Sequence, residues 1–266
     1  MIDSNAQEGL SQIGNLRDYP ANQFIGDAET GLGLTGIVIS GYLRLQHDRI
    51  DGRRQILSLL TPGDIVGRPS GCCRGYSIEA STDARVCRLD LHRFSRMLET
   101  DTTIRRAVYV VQSAKLGQLH WLAWSLGALN AEERLCAFLA LATRYMPFEP
   151  LPGGGHILSV DLPRPDIADF LGTTVESISR ISSHLDRIGA IRMRNAWQFE
   201  IPDLGKLVQM GCLEGTFENI RFPAEPARQF RSPLQPAAVA RHLAQQPAAP
   251  KRLATALAPA AQAPRE

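Results

Sequence analysis

Glutamate, serine and arginine side chains recur at helical spacing between residues 173 and 187, and their chemistry suits the edges of DNA bases. Glu176 and Arg180 are four residues apart, so they share one side of a helix. An arginine can donate two hydrogen bonds to guanine O6 and N7, and a glutamate can accept one from cytosine N4. The candidate DNA-binding residues are Thr173, Thr174, Glu176, Ser177, Ser179, Arg180, Arg187, Arg192 and Arg194. We assign Ser179 to a base or a phosphate, and the last three arginines to phosphates.

The elements around these residues predict a winged helix-turn-helix. Pro165 can lie in the first turn of a short helix, and Gly172 can end it in the left-handed conformation. Thr173 or Thr174 then caps a second helix. Its inward stripe consists of Val175, Ile178, Ile181, Leu185 and Ile188. Segments 190–194 and 197–201 flank a turn and predict the hairpin of a wing.

Two simpler interpretations remain open for the same residues. Thr173 and Glu176 match a capping box, in which the glutamate would only hold the start of the helix. Arg180 could be an ordinary solvated charge. The charge distribution favours DNA, because residues 174–199 hold four arginines and two acidic residues although the net charge of the chain is only +2.

The chain before this region divides into three parts. We predict a flexible N-terminus at residues 1–22, because its sequence has no clear periodicity. Residues 23–100 contain short apolar runs cut by glycines, and Asp51-Gly52 is a strong hairpin signal, so this part predicts an antiparallel barrel or roll.

Glycines become rare and apolar residues recur at helical spacing from about Leu91 to Leu129, and we predict the long dimerisation helix over residues 101–130. Its apolar stripe consists of Val108, Val111, Leu119, Leu122, Leu126 and Leu129. That stripe suits a coiled coil between two copies of the chain, and the alternative is packing on the roll of the same chain. The DNA-binding domain then covers residues 131–210. Residues 215–266 are rich in proline and alanine, which predicts a disordered tail.

The composition excludes several other classes of protein. No 18-residue apolar run and no secretion signal are visible, so we expect no membrane span and a cytoplasmic protein. The five cysteines include no C-x-x-C pair, which argues against a metal centre. No phosphate loop or catalytic set stands out, so an enzyme is not expected.

Three segments together resemble the Crp/Fnr family of bacterial transcription regulators: SGYLRL, DGRRQILSLLTPGDIVG and DIADFLGTTVESISR. The resemblance implies an α+β fold with an N-terminal antiparallel β-roll like a cyclic-nucleotide-binding domain, a long dimerisation helix and a C-terminal winged helix-turn-helix. Glu176-x-x-Ser179-Arg180 is similar to the signature of the Fnr and FixK branch. That branch implies a homodimer on a TTGAT/ATCAA inverted repeat in double-stranded DNA, activation of respiratory or oxygen-limited genes, and contact of the roll with RNA polymerase.

The same resemblance limits what the roll could sense. Cyclic-nucleotide-binding relatives use a Gly-Glu pair and an Arg-Ser or Arg-Thr pair, whereas this chain has Gly63-Asp64 and Arg74-Gly75. Asp64 and Arg74 are therefore weak effector-binding candidates, and a cyclic-nucleotide-gated regulator is the alternative function. No cysteine precedes Cys72, so we expect no iron-sulfur cluster and no cofactor. Cys72 and Cys73 are either idle or sites of thiol oxidation.

Overall fold

In the described part of the chain, most strands precede residue 90 and most helices follow it, as glycine spacing and apolar periodicity predict. The computed structural model describes residues 9–27, 35–67, 76–152 and 154–222. The strands are β1 (Gly14–Tyr19), β2 (Phe24–Asp27), β3 (Thr35–Ser40), β4 (Leu43–Asp48), β5 (Arg54–Leu60), β6 (Ile65–Val66), β7 (Ser77–Ala80), β8 (Ala84–Leu89), β9 (Phe148–Pro150), β10 (His156–Ser159), β11 (Arg192–Met193) and β12 (Gln198–Ile201). The helices are α1 (Leu91–Thr100), α2 (Thr102–Ala128), α3 (Ala131–Ala142), α4 (Arg164–Phe170), α5 (Val175–Arg187) and α6 (Leu204–Met210).

The roll consists of two four-stranded antiparallel sheets, in the orders β1-β8-β3-β6 and β2-β7-β4-β5. Apolar side chains of both sheets form one core, which includes Val38 and Val86 from the first sheet and Leu43 and Ile78 from the second. The turn between β3 and β4 needs glycine at position 41, because φ is +73° and a Cβ atom would lie 2.1 Å from the backbone oxygen of Asp83. The predicted antiparallel roll is therefore confirmed.

The N-terminus differs from the prediction of a flexible segment over residues 1–22. β1 pairs with β8 along its whole length, from Gly14 opposite Leu89 to Tyr19 opposite Ala84. Leu10 is fully buried beneath α1 and α2. Strand pairing satisfies the backbone polar groups and burial removes apolar area from water, so residues 9–19 are part of the roll. Residues 1–8 lie outside the described ranges.

The long helix α2 falls within the predicted range, but the apolar face that it leaves exposed differs from the predicted one. Val111 packs with the first sheet, and Leu122 packs with α3 and the DNA-binding domain. These two members of the predicted stripe are buried within their own chain. Tyr109, Leu116 and Trp124 are instead 72%, 52% and 50% exposed. Their spacing of seven and eight residues puts them on one side of the helix.

The DNA-binding domain packs α3 to α6 against a sheet in the order β11-β12-β10-β9. Its core continues past α6, because Leu213, Ile220 and Phe222 are buried in it. Phe222 stacks on Tyr145 with ring centroids 4.5 Å apart. The predicted disordered tail is therefore wrong for residues 215–222, where the buried side chains of Ile220 and Phe222 and the partly buried Phe217 compensate the cost of ordering. Residues 223–266 lie outside the described ranges.

Candidate nucleic-acid interface

Two short helices joined by a tight turn carry the candidate recognition residues. Pro165 lies in the first turn of α4, and Gly172 follows the end of that helix with φ of +59°. The cap of α5 is Thr174, whose Oγ1 accepts a hydrogen bond from the backbone N–H of Ser177 at 3.2 Å. Glu176 is thus the second residue of α5, and the Thr173–Glu176 capping box does not form.

The inward stripe of α5 anchors the helix to its domain. Ile178 and Leu185 are almost fully buried, and Val175 and Ile181 pack partly against the same core. Ile188 lies beyond the end of α5 and is 42% exposed, so it does not belong to the stripe as predicted. Ser182 is 1% exposed and completes the inward face instead, which apolar periodicity did not indicate.

Glu176 and Arg180 lie on the outward face of α5 and are exposed. The Arg180 Nη2 atom donates to the Ser177 hydroxyl at 3.0 Å, which holds the guanidinium close to the surface of the helix. A hydrogen bond from its own backbone N–H lowers the pKa of Glu176, and the Thr174 hydroxyl and the charge of Arg180 lower this pKa further. The carboxylate is therefore ionised at neutral pH and can accept from a cytosine amino group.

The serines of this face are tied to the helix backbone. Ser179 Oγ donates to the Val175 carbonyl oxygen at 3.0 Å, and Ser183 Oγ donates to the Ser179 carbonyl oxygen at 3.0 Å. Each hydroxyl proton is thus used inside the helix, while the oxygen lone pairs can still accept. In this arrangement Ser179 can accept from a base amino group, and it can donate to a phosphate only after rotating.

The wing forms as predicted, but two of its arginines have partners inside the domain. Arg192 Nη1 lies 2.8 Å from Glu200 Oε1, and Arg194 Nη2 lies 2.6 Å from Glu200 Oε2. The hydrogen bond from Arg194 is the main cause that lowers the pKa of Glu200. Both arginine side chains remain more than half exposed. They therefore stabilise the hairpin, and Glu200 offsets part of the charge that they could offer to phosphates. Arg187 is exposed in the last turn of α5.

Asp64 has a structural role within the roll. Its carboxylate is 1% exposed, accepts from the Thr61 backbone N–H at 2.7 Å and pairs with Lys115 Nζ at 2.8 Å. Lys115 belongs to α2 and also donates to the Leu59 carbonyl oxygen. Asp64 thus ties the turn after β5 to the long helix, and it does not form an open ligand site. Arg74, Cys72 and Cys73 lie outside the described residues.

Two of the remaining cysteines, Cys87 and Cys136, are buried, and this lowers the reactivity of their thiols. Loss of solvation raises the pKa of each thiol to about 12. At pH 8 such a thiol is ionised in roughly one molecule in 10,000, and only the thiolate reacts with an alkylating agent. Cys212 is exposed by comparison.

We therefore expect iodoacetamide to modify Cys212 in the native protein and to spare Cys87 and Cys136, as measured by peptide mass spectrometry. The same reaction in urea provides the control, because unfolding should make all three react. Fast native labelling of Cys87 would contradict the burial of this thiol.

Metal sites and membrane-spanning helices are two other features that a structure can show. Within the described ranges, His, Cys, Asp and Glu side chains nowhere gather in threes as a metal ion would require. In the same part of the chain, the helices lack the combination of length and apolar character needed to cross a bilayer.

Sequence reasoning missed the contact that joins the helix-turn-helix to the roll. Asp166 of α4 is buried against Arg44 of β4. Each is a charged residue that its own sequence pattern would place on the surface. The register places Arg44 opposite Glu79 on the neighbouring strand β7. Opposite charges at paired strand positions indicate that this face of the sheet is polar. This was the feature of the sequence from which a polar contact on the roll could have been predicted.

Comparison with known proteins agrees with both halves of this architecture. Residues 16–101 match the family model described as the cyclic nucleotide-binding domain, and residues 133–210 match the Crp-like helix-turn-helix domain. The transcriptional activator protein FnrL of Cereibacter sphaeroides is 29% identical over 209 residues, which are 78% of this chain and 84% of FnrL. A probable transcriptional activator of Rhizobium leguminosarum bv. viciae is 31% identical over 65% of this chain and 71% of its own length.

A solved structure extends the agreement to three dimensions. FixK2 from Bradyrhizobium japonicum superimposes with a TM-score of 0.64 and 25% identity, over 74% of this chain and 97% of FixK2. The fold, the helix-turn-helix and these relatives lead to one conclusion: the chain belongs to the Fnr/FixK branch of the Crp/Fnr family and is a DNA-binding transcription regulator.

Proposed function

We propose that this regulator binds as a homodimer to an inverted repeat close to TTGAT and ATCAA, and that it activates genes of respiratory or oxygen-limited metabolism. The exposed pair of Glu176 and Arg180 on the outward face of α5 is the observation that carries the proposal. An arginine and a glutamate one helical turn apart can contact the guanine and the cytosine of one base pair. Arg187, Arg192 and Arg194 would add phosphate contacts around the half-site.

The exposed apolar side chains of α2 support the homodimer. Tyr109, Leu116 and Trp124 together form what we call the α2 seam. A helix that exposes large apolar groups at near-heptad spacing gains free energy by packing against a second copy. Two copies related by a two-fold axis would present two recognition helices to an inverted repeat.

The names of the relatives support the kind of gene that is controlled. They include the transcriptional activator FnrL, the nitrogen fixation regulation protein FixK of Bradyrhizobium diazoefficiens and an anaerobic regulatory protein of Haemophilus influenzae. By the same analogy, the exposed loops of the roll would contact RNA polymerase at activated promoters.

The direct test is fluorescence anisotropy with a labelled TTGAT/ATCAA duplex and with a scrambled duplex of equal length and composition. We expect the repeat to bind at least about 1,000-fold more tightly at physiological salt. The affinity for both duplexes should fall as salt rises, since both depend on phosphate contacts. Equal affinity for the two duplexes would contradict the proposal.

The alternative of a cyclic-nucleotide-gated regulator has one observation in its favour, the match of residues 16–101 to the cyclic nucleotide-binding domain model. The buried ion pair of Asp64 with Lys115 opposes it, because that carboxylate is not available to a ribose. Calorimetry with cyclic AMP and cyclic GMP separates the two functions, since binding heat would favour the alternative.

A further inference from the structure

The first helix of the helix-turn-helix is fastened to the roll by a buried cluster of charges. Asp166 of α4 is 1% exposed, and its carboxylate accepts from Arg44 Nη1 at 2.8 Å and from Arg54 Nη2 at 2.9 Å. The Ser81 hydroxyl donates to the same carboxylate at 2.5 Å. We call Arg44, Arg54, Ser81 and Asp166 the Asp166 cluster.

Other contacts extend the junction on both sides of the Asp166 cluster. The Nη2 atom of Arg44 lies 2.6 Å from the Glu79 carboxylate. The guanidinium therefore binds one carboxylate of the roll and one of α4. Asp169, one turn further along α4, accepts from Arg54 Nε at 2.7 Å. Gln55 Nε2 donates to the Asp169 carbonyl oxygen at 2.7 Å. Strand β5 thus binds both the side chains and the backbone of α4.

Buried charges make this junction selective for one orientation. A buried carboxylate is stable only while its cationic partners stay within hydrogen-bond distance, and the attraction falls sharply when the geometry changes. A rotation of α4 away from the roll would separate the Asp166 carboxylate from Arg44, Arg54 and Ser81, while Arg44 would keep its pair with Glu79. Apolar contacts alone would tolerate such a rotation better, because the hydrophobic effect is not directional.

The orientation of α4 determines the orientation of the recognition helix. Only Leu171 to Thr174 separate α4 from α5, and both helices share the core around Ile167 and Ile178. The outward side chains Glu176 and Arg180 remain exposed while α4 is docked on the roll. The docked arrangement is therefore compatible with DNA binding.

We propose that the Asp166 cluster is a positioning device for DNA recognition, which fixes the distance between the two recognition helices and so selects the spacing of the half-sites. This inference rests on the proposed dimer and its inverted repeat. Helix α2 packs against the roll and contains the α2 seam, so the dimer interface determines where each roll lies. A rigid link from the roll to α4 then determines where each recognition helix meets the DNA.

The test uses operators whose central spacer is lengthened or shortened by one base pair at a time, together with a duplex that holds a single half-site. The main variant is the double substitution Arg44→Met with Asp166→Leu, which removes the two most buried charges of the cluster, keeps similar bulk at both positions and leaves Arg54 paired with Asp169. We expect the preference of the wild type for its best spacer to fall by about tenfold or more in this variant, because avidity depends on linker geometry. Affinity for the single half-site should stay unchanged.

Two further variants keep the result interpretable. Arg85→Met breaks the exposed pair with Asp18 on the other sheet, so it should leave the spacer preference intact. Arg44→Lys keeps the buried charge but cannot bind Asp166 and Glu79 with two arms. It should therefore weaken the spacer preference by a smaller factor. This variant also tests the inference if the double variant does not fold.

An unchanged spacer preference in a folded double variant, or in Arg44→Lys if only that variant folds, would overturn the inference. Tighter binding of the best operator by the variants would overturn it as well, because the docked arrangement would then be inhibitory. Failure of the wild type to prefer the inverted repeat would be a different result, which removes the proposed function itself.

Discussion

Arg180→Ala should remove most of the preference of the protein for the G·C base pair of each half-site, leaving the share that Glu176 contributes through the cytosine. A two-armed contact from arginine to guanine contributes about 1–3 kcal/mol of discrimination, and an inverted repeat contains two such contacts. The affinity for the intact repeat should therefore fall by between about 30-fold and 20,000-fold. Anisotropy titrations with the intact repeat, and with a repeat that carries A·T in place of G·C, measure both quantities.

Arg187→Ala is the matched control for this variant, since it removes an arginine from the same helix at a position assigned to phosphate. It should weaken binding to both duplexes equally, and it should reduce the salt dependence of the affinity by about one phosphate contact per half-site. If Arg180→Ala behaves like Arg187→Ala, Arg180 is a phosphate contact or a solvated charge, and the assignment of the base contact is wrong.

Leu116→Glu should convert the protein into a monomer with little affinity for the inverted repeat. Leu116 lies in the middle of the α2 seam and is 52% exposed in the single chain. In a dimer, two glutamates would face each other in an apolar interface, where neither charge is solvated or paired. Loss of the dimer removes the linkage between two half-sites, so the affinity for the repeat should fall by about 100-fold or more.

Ile50→Glu provides the control for this substitution, because Ile50 is a fully exposed apolar residue at the tip of the β4–β5 hairpin. Both changes add the same charge, but only Leu116→Glu should change the sedimentation coefficient. A Leu116→Glu protein that still sediments as a dimer would place the dimer interface on another surface.

The helix-turn-helix could be predicted from sequence because local rules determine it. Gly172 takes the left-handed conformation that ends α4, and Ile178 and Leu185 form a buried stripe at helical spacing. These features depend on neighbours within a few residues in the chain. The outward position of Glu176 and Arg180 follows from the same periodicity, so the face of the candidate site could be predicted without a tertiary structure.

Long-range packing determines the features that could not be predicted. Helix α2 has apolar residues on more than one face, and periodicity alone does not show which face the roll covers. The structure shows that the roll covers the face that contains Val111 and leaves the face that contains Leu116 exposed. The burial of Asp166 likewise depends on Arg44, which lies 122 residues earlier in the chain. β1 was missed because its partner β8 lies about 70 residues away and its own pattern is weak.

The ion pair between Lys115 and Asp64 limits how the long helix can move. If α2 slid along its axis by one turn, Lys115 would shift by about 5.4 Å and two buried charges would lose each other. The ion pair therefore opposes axial sliding of α2, whereas a tilt of the helix about Lys115 would keep the pair intact. This contact thus restrains the position of α2 along its axis more directly than the angle between α2 and the roll.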